Sequence, residues 1–284
     1  MSYVDTARLL QVGITPSTRR DHGAEVNRLQ HKAAIWCSAV ILACSVNTAS
    51  LKAQDTSQNT AEPGSYQRPV SWKQLPGNVL DDQKHIWEFP AKLRRKRVWI
   101  PTVVLLGVTA GLIATDHQTA PYFRHNDSFH TFNNVLSSIA TASTTAAVPL
   151  GLYGAGALFK DSRLKQTALL AGEAAADTEI LATVLKETTR RRRPADIQPG
   201  ESYADSFYEG GGTSFPSGHS IVAFSIATVV ARKYHDHKWV PFAAYGTAAL
   251  IGFSRVSTSA HFVSDVFLGS ALGYSIGRFT VLRQ

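Results

Sequence analysis

The sequence predicts an all-α fold: a six-helix bundle that crosses a membrane and carries a polar N-terminal extension. Three observations lead there. Apolar stretches recur from Val98 to the C-terminus. They are rich in Ala, Gly, Ser and Thr, the small residues that let membrane helices approach closely. No segment alternates apolar and polar residues over a strand's length, and no internal repeat is present.

The elements follow in order. Residues 33–46 form a short apolar run preceded by Arg28 and Lys32 and followed by Leu51-Lys52-Ala53, which has the layout of a secretory signal. Residues 1–53 are therefore set apart as an extension. Residues 54–97 are polar, with scattered Pro, Gly, Ser and Asn up to about Pro90, and read as a linker or partly ordered arm. The basic run Lys92–Arg97 then abuts Val98–Thr115, which is apolar throughout and long enough to approach a membrane span. Five further helical segments are expected at 134–158, 165–187, 218–233, 240–256 and 262–280, which makes 98–284 one helical domain. Glu173, Asp177 and Glu179 in the 165–187 segment are costly in hydrocarbon and must face a protein interior or cavity.

Loop charges set a topology. Lys92–Arg97, then Lys160, Arg163 and Lys165, then Arg232, Lys233 and Lys238 alternate with the helices so that all three clusters fall on one side. If that side is cytoplasmic, the excess of positive charge matches the usual orientation, with the opposite helix ends facing the periplasm or exterior of a bacterial-type inner membrane. A cleaved signal at 33–46 would invert this parity, and the alternative is an exported, soluble periplasmic domain.

The net charge of +8 does not indicate nucleic-acid binding. The clusters Lys92–Arg97 and Arg190–Arg193 account for all of it, with no basic face interleaved with aromatics. Cys37 and Cys44 are the only cysteines, too few for a structural zinc site or a disulfide framework.

Three stretches near the C-terminus carry chemistry. Lys186 and Arg193 are seven residues apart, so a continuous helix would place both cations on one face, with Pro194 ending that helix at Arg193. Glu179, seven residues before Lys186, either orients its ammonium or makes a polar bundle contact. Arg190, Arg191 and Arg192 read as a solvated cluster facing lipid headgroups or as further ligands. Pro216-Ser217-Gly218-His219 opens an apolar helix. Ser217 is a suitable N-cap, Gly218 permits close backbone approach, and the helix start favours an anion beside His219. Ser254-Arg255 closes the fifth helix, while His261 and Asp265 stand four apart, a helical spacing at which the carboxylate can fix the imidazole tautomer.

Together, Lys186-x6-Arg193-Pro194, Pro216-Ser217-Gly218-His219 and Ser254-Arg255-x5-His261-x3-Asp265 resemble the three signatures of the type 2 phosphatidic acid phosphatase superfamily. That superfamily also includes bacterial non-specific acid phosphatases and vanadium haloperoxidases. The resemblance covers 186–265 directly and 98–280 through the helix pattern, leaving 1–97 outside it. It implies that His261 takes the phosphoryl group, oriented by Asp265. His219 would protonate the leaving oxygen and later activate water. Lys186, Arg193, Arg255, Ser217 and the Gly218 N–H would hold the non-bridging oxygens. No signature position departs from the pattern.

No metal or cofactor is expected, since these cations and the helix start supply the charge. The expected activity is hydrolysis of a phosphorylated lipid or isoprenyl diphosphate through a phosphohistidine. A soluble broad-specificity acid phosphatase, a vanadate-dependent haloperoxidase and a non-catalytic binder of phosphorylated lipid are the alternatives. His117, His125 and His130 read as a polar loop or a metal site, His235-Asp236-His237 as a solvated loop, and Gly210-Gly211-Gly212 as a lid hinge or a flexible link.

Overall fold

The structure is a computed structural model that describes residues 70–283, apart from 94–95, 125–128, 130–131, 134–141, 199, 204–205 and 209–210 and the side chains of 96–97 and 142–146. The 33–46 run, the whole 1–53 extension, His125, His130 and Gly210 lie outside the described residues. The fold is all-α, with no strand among the described residues. Among the described residues eight α-helices have defined bounds: α1 (Leu75–Trp87), α2 (Phe89–Lys92), α3 (Lys96–Arg124), α4 (Ala142–Leu158), α5 (Ser162–Thr189), α6 (Gly218–Lys233), α7 (Trp239–Ser257) and α8 (Val263–Ile276). The count exceeds the six expected because the 54–97 stretch contributes α1 and α2.

Helix α6 is the hub and packs against α5, α7 and α8. It is apolar all round, as a helix enclosed by neighbours must be. Ile221 and Val229 are fully buried there among Leu170, Ala174 and Ala182 of α5 and Ile276 of α8. Each such side chain contributes roughly 1.5–3 kcal/mol relative to exposure. Backbone contact between α6 and α8 depends on a stripe of glycines spaced one helical turn apart. A Cβ on Gly273 would lie 2.1 Å from the Ile221 carbonyl oxygen, and one on Gly269 2.8 Å from that of Ser217. Gly277 meets Ser225 and Thr228 in the same way.

Helix α1 docks on α5 through polar pairs. Asn78 donates to Glu173 at 3.1 Å and Gln83 to Asp177 at 2.9 Å. Arg283, beyond α8, pairs with Asp81 and Asp82. Glu173 and Asp177 are therefore buried against protein, as their cost in an apolar environment requires. Glu179 faces outward instead, and among the described residues no ion pair joins it to Lys186.

Helix α3 is unlike the rest. The most apolar eighteen-residue window of its Val98–Arg124 segment has a mean hydropathy of 2.0, yet only 6% of that window is buried. Trp99, Ile100, Val103, Val104 and Leu106 all face outward. Near its C-terminal end, Asp116 and Ala120 turn inward, and Arg124 donates to the carbonyl oxygens of Pro194 and Ile197.

Candidate active site

One end of the bundle gathers the C-terminal ends of α3, α5 and α7 and the N-terminal starts of α6 and α8. The eight predicted site residues stand in these segments or in the chain directly beside them, and the local backbone explains how each is presented.

Helix α5 stops at Thr189, just past the expected 165–187 segment and short of Arg193, because Arg190 takes the left-handed conformation at φ 46° and closes the helix. Lys186 thus stays on the helix while Arg193 returns in extended backbone, φ −80° and ψ 152°. The two cations therefore do not share a continuous helical face. Proline 194 accounts for the extended Arg193, since it disfavours helical geometry in the residue before it.

Ser217 caps α6, its hydroxyl accepting from the Ser220 N–H, while the Ser217 N–H donates to the Asp265 carbonyl oxygen at 3.0 Å. That bond ties the start of α6 to the start of α8. A Cβ on Gly218 would lie 2.7 Å from the Lys186 ammonium, so the glycine is what allows Lys186 to reach the helix start. Arg255 stands in the last turn of α7 with its Nε donating to Ser254 Oγ at 3.1 Å. Its Nη2 is buried without a hydrogen-bond partner among the described residues. Such a buried donor is costly until an acceptor arrives. Arg193 donates to Thr213 Oγ1 at 3.2 Å.

His261 precedes α8 rather than lying on it, so the four-residue spacing to Asp265 is not a helical i,i+4 pair. Asp265 is in the first turn, where its carboxylate accepts the Phe262 N–H at 2.9 Å. The His261 Nδ1 is 3.7 Å from Asp265 Oδ2 but 2.7 Å from the Ser214 carbonyl oxygen. A carbonyl can only accept, so Nδ1 carries the proton and Nε2 keeps its lone pair. Ser214 also links the two residues, donating from its hydroxyl to Asp265 Oδ2 at 2.5 Å. Ser214 thus bonds to both Asp265 and His261.

The arginine run resolves into four different environments. Arg190 is exposed, Arg192 pairs with Glu201 at 2.7 Å, and Arg193 faces the site. Arg191, at 1% exposure, is neither solvated nor free to bind a ligand. It donates to Asp265 Oδ1 at 2.6 Å, to Asp116 Oδ2 at 2.8 Å and to Ser264 Oγ at 2.7 Å. The Phe262 and Phe207 rings cover its guanidinium at 3.9 and 4.4 Å. Asp116 also accepts from the Ser264 hydroxyl and N–H, so α3 anchors the start of α8. Gly212 is explained by the same region, because a Cβ there would lie 2.2 Å from the Arg191 carbonyl oxygen.

His219 sits in the first turn of α6, at the rim. Partial burial, and then the positive charges of Arg255, Lys186 and Arg193, push its imidazole down to about 4. The histidine is therefore neutral near pH 7 in the empty site, and an arriving anion would raise its affinity for a proton. The arrangement gathers three fixed cations, a helix start, one imidazole with a free Nε2 and a second imidazole poised to exchange a proton.

His117 is exposed on α3, and among the described residues no group of three or more His, Cys, Asp or Glu side chains is placed to hold a metal ion. Asp236 is not merely solvated: it pairs with Arg163 at 2.5 Å. Arg191, Ser214, Asp116 and Ser264 were not anticipated from the sequence. Asp116 alone carried a legible signal, a carboxylate directly after an apolar run, which demands a buried partner.

The lipid A 1-phosphatase of Porphyromonas gingivalis is 38% identical over 65 residues, 22% of this chain and 15% of the relative. Phosphatidylglycerophosphatase B of Bacillus subtilis is 39% identical over 102 residues, 33% of this chain and 46% of the relative. The chain thus spans less than half the length of these curated relatives. The crystal structure of Aquifex aeolicus LpxE aligns with a TM-score of 0.44 and 21% identity, covering 60% of this chain and 93% of that one. Residues 167–284, from the second turn of α5 to the C-terminus, match the PAP2 superfamily.

Proposed function

We propose that the chain is a membrane-bound phosphatase that removes phosphate from a lipid phosphate or an isoprenyl diphosphate through a phosphohistidine on His261. The observation that carries this is the ring of Lys186, Arg193 and the unsatisfied Arg255 Nη2 around His219 and His261. A tetrahedral oxyanion is the ligand such a ring suits, and catalysis of phosphoryl transfer is chiefly positioning plus charge stabilisation.

In the first step the His261 Nε2 lone pair forms a bond to phosphorus as the bond to the leaving oxygen breaks. Protonated His219 delivers its proton to that oxygen. In the second step water attacks the phosphohistidine, His219 takes its proton, and the phosphorus–nitrogen bond breaks to release phosphate. Lys186, Arg193, Arg255, Ser217 and the Gly218 N–H hold the non-bridging oxygens throughout. Asp265 and Ser214 keep the Nδ1 proton in place, and Arg191 keeps Asp265 in place.

The exposed apolar α3 supports a lipid setting. Val98–Arg124 has the length and composition to enter a bilayer, and its C-terminal end is bonded to the loop that carries Arg193. In this reading α3–α8 form the six-helix core of the 98–284 domain, 54–97 is its arm, and the site faces the periplasm or exterior. The names of the curated relatives, two different lipid phosphatases, fit the same substrate class.

The test is phosphate release by the purified full chain, with chelator present, from phosphatidic acid, an isoprenyl diphosphate and an aryl phosphate. The expected result is a clear preference for one lipid, abolished in His261→Ala. Equal or better turnover of the aryl phosphate would overturn the lipid assignment, and no release from any of the three would overturn the activity.

A further inference from the structure

The end of the bundle away from the candidate active site holds a cavity that the proposed chemistry does not use. It has a volume of about 580 Å³ and is lined by Trp72, Tyr153, Arg163, Lys165 and Gln166, among others. Lys165 and Lys186 lie on the same helix, α5, twenty-one residues apart, a rise of about 31 Å. That is close to the thickness of a bilayer's hydrocarbon core, roughly 30 Å.

Two features give this end the character of a membrane interface. Cations outnumber carboxylates: Lys160, Arg163, Lys165, Arg232, Lys233 and Lys238 stand against Asp161 and Asp236. Aromatic residues are exposed beside them, with Phe242 at 81%, Trp72 at 54%, Phe159 at 52% and Trp239 at 41%. Amphipathic aromatics interleaved with lysine and arginine mark the headgroup level of the cytoplasmic leaflet, which is the anionic one.

Within the cavity the polar groups are not equivalent. Arg163 is committed to Asp236, and its guanidinium lies 4.5 Å over the Tyr234 ring. Lys233 donates to Gln166 at 2.7 Å. The Lys165 backbone N–H donates to the Asp161 carbonyl oxygen, but its ammonium makes no hydrogen bond or ion pair among the described residues. Its stem crosses Gly156, where an added Cβ would lie 2.8 Å from Lys165 Cγ, so the backbone of α4 fixes where the ammonium emerges. The Trp72 and Tyr153 rings meet edge to face at 5.1 Å and form an apolar wall beside it.

We infer that this cavity seats the phosphodiester headgroup of an anionic phospholipid, with Lys165 on the phosphate and Trp72 and Tyr153 against the glycerol and upper acyl carbons. The inference rests on the membrane placement proposed above but concerns a site separate from the phosphatase centre. It would fix the depth of α5, and with it the height at which Lys186 and Arg193 meet substrate at the other face.

The test is native mass spectrometry of the full chain in nonionic detergent with equal phosphatidylglycerol and phosphatidylcholine. Wild type and His261→Ala are expected to retain one phosphatidylglycerol in preference, undisturbed by millimolar inorganic phosphate. Lys165→Gln and Trp72→Ala should each weaken retention about fivefold, the effect of one cation or one interfacial ring near an anionic surface. Unchanged thermal midpoints would show that these variants fold. Equal retention by Lys165→Gln and wild type, loss in His261→Ala, or displacement by inorganic phosphate would each overturn the site. A chain that partitions into detergent without lipid preference removes this inference alone. A chain that stays in the aqueous phase of a detergent phase separation removes the membrane placement and this site with it.

Discussion

Replacing Arg191 by Met tests the framework that holds the candidate nucleophile. Arg191 and its partners Asp116 and Asp265 are each at most 1% exposed, and the guanidinium bonds to both carboxylates. Methionine fills much of the same volume between Phe262 and Phe207 but leaves two buried carboxylates without their cation. Removing one member of a buried ion pair costs about 3–5 kcal/mol. For a domain of this size each kcal/mol moves the midpoint by roughly 2–4 °C, so a fall of about 6–20 °C is expected. Tryptophan fluorescence during heating, in one detergent at one pH, would measure it. Adding Asp116→Asn should recover part of the loss, by about 0.5–3 kcal/mol of coupling, because one stranded charge is then gone. A midpoint within 2 °C of wild type for Arg191→Met, or strict additivity in the double variant, would refute the account of a buried bridge.

Three other outcomes follow from the same geometry. Gly273→Ala drives a Cβ to 2.1 Å from the Ile221 carbonyl oxygen, so α8 must move off α6. Overpacking of this kind costs about 1–3 kcal/mol or more, and a thermal midpoint equal to wild type would show that the helices are not in backbone contact. Gly218→Ala collides only with the mobile Lys186 ammonium, at 2.7 Å. It should leave the midpoint unchanged while lowering phosphate release about tenfold to a hundredfold, and undiminished release would remove Lys186 from the site. In the pH dependence, surrounding cations hold His219 down to about 4 in the empty site, and a bound phosphate offsets them. The pKa of the acid form should therefore be higher in kcat than in kcat/KM, so kcat persists to higher pH; coincident limbs in both profiles would contradict the assignment.

How much of this was legible in the sequence depends on how local each cause is. Ser217 as a cap and a helix end before Pro194 are local consequences of residue order and were legible, but the stop at Thr189 and the extended Arg193 were not. The demand that Glu173 and Asp177 face an interior was also legible, because it follows from the cost of burying charge. Which residues would satisfy them was not. Asn78 and Gln83 lie more than ninety positions earlier in a stretch that reads as a polar arm. The arginine run shows the same limit. Four identical side chains in sequence carry no mark of which one turns inward, and the left-handed Arg190 that redirects the chain is not a glycine. The indirect link from Asp265 to His261 is likewise non-local, since Ser214 enters from a loop more than forty residues away.

The most direct test of the central claim is to trap the covalent intermediate. The full chain would be mixed with a phosphorus-labelled lipid substrate, quenched within milliseconds in alkaline denaturant, where phosphohistidine survives, and mapped by peptide mass spectrometry. The account predicts label on His261 alone. It predicts more label in His219→Ala, where leaving-group departure still occurs with a good leaving group but water is no longer activated, and none in His261→Ala. Steady turnover by the wild type with no label on any histidine, or label on a residue other than His261, would contradict it.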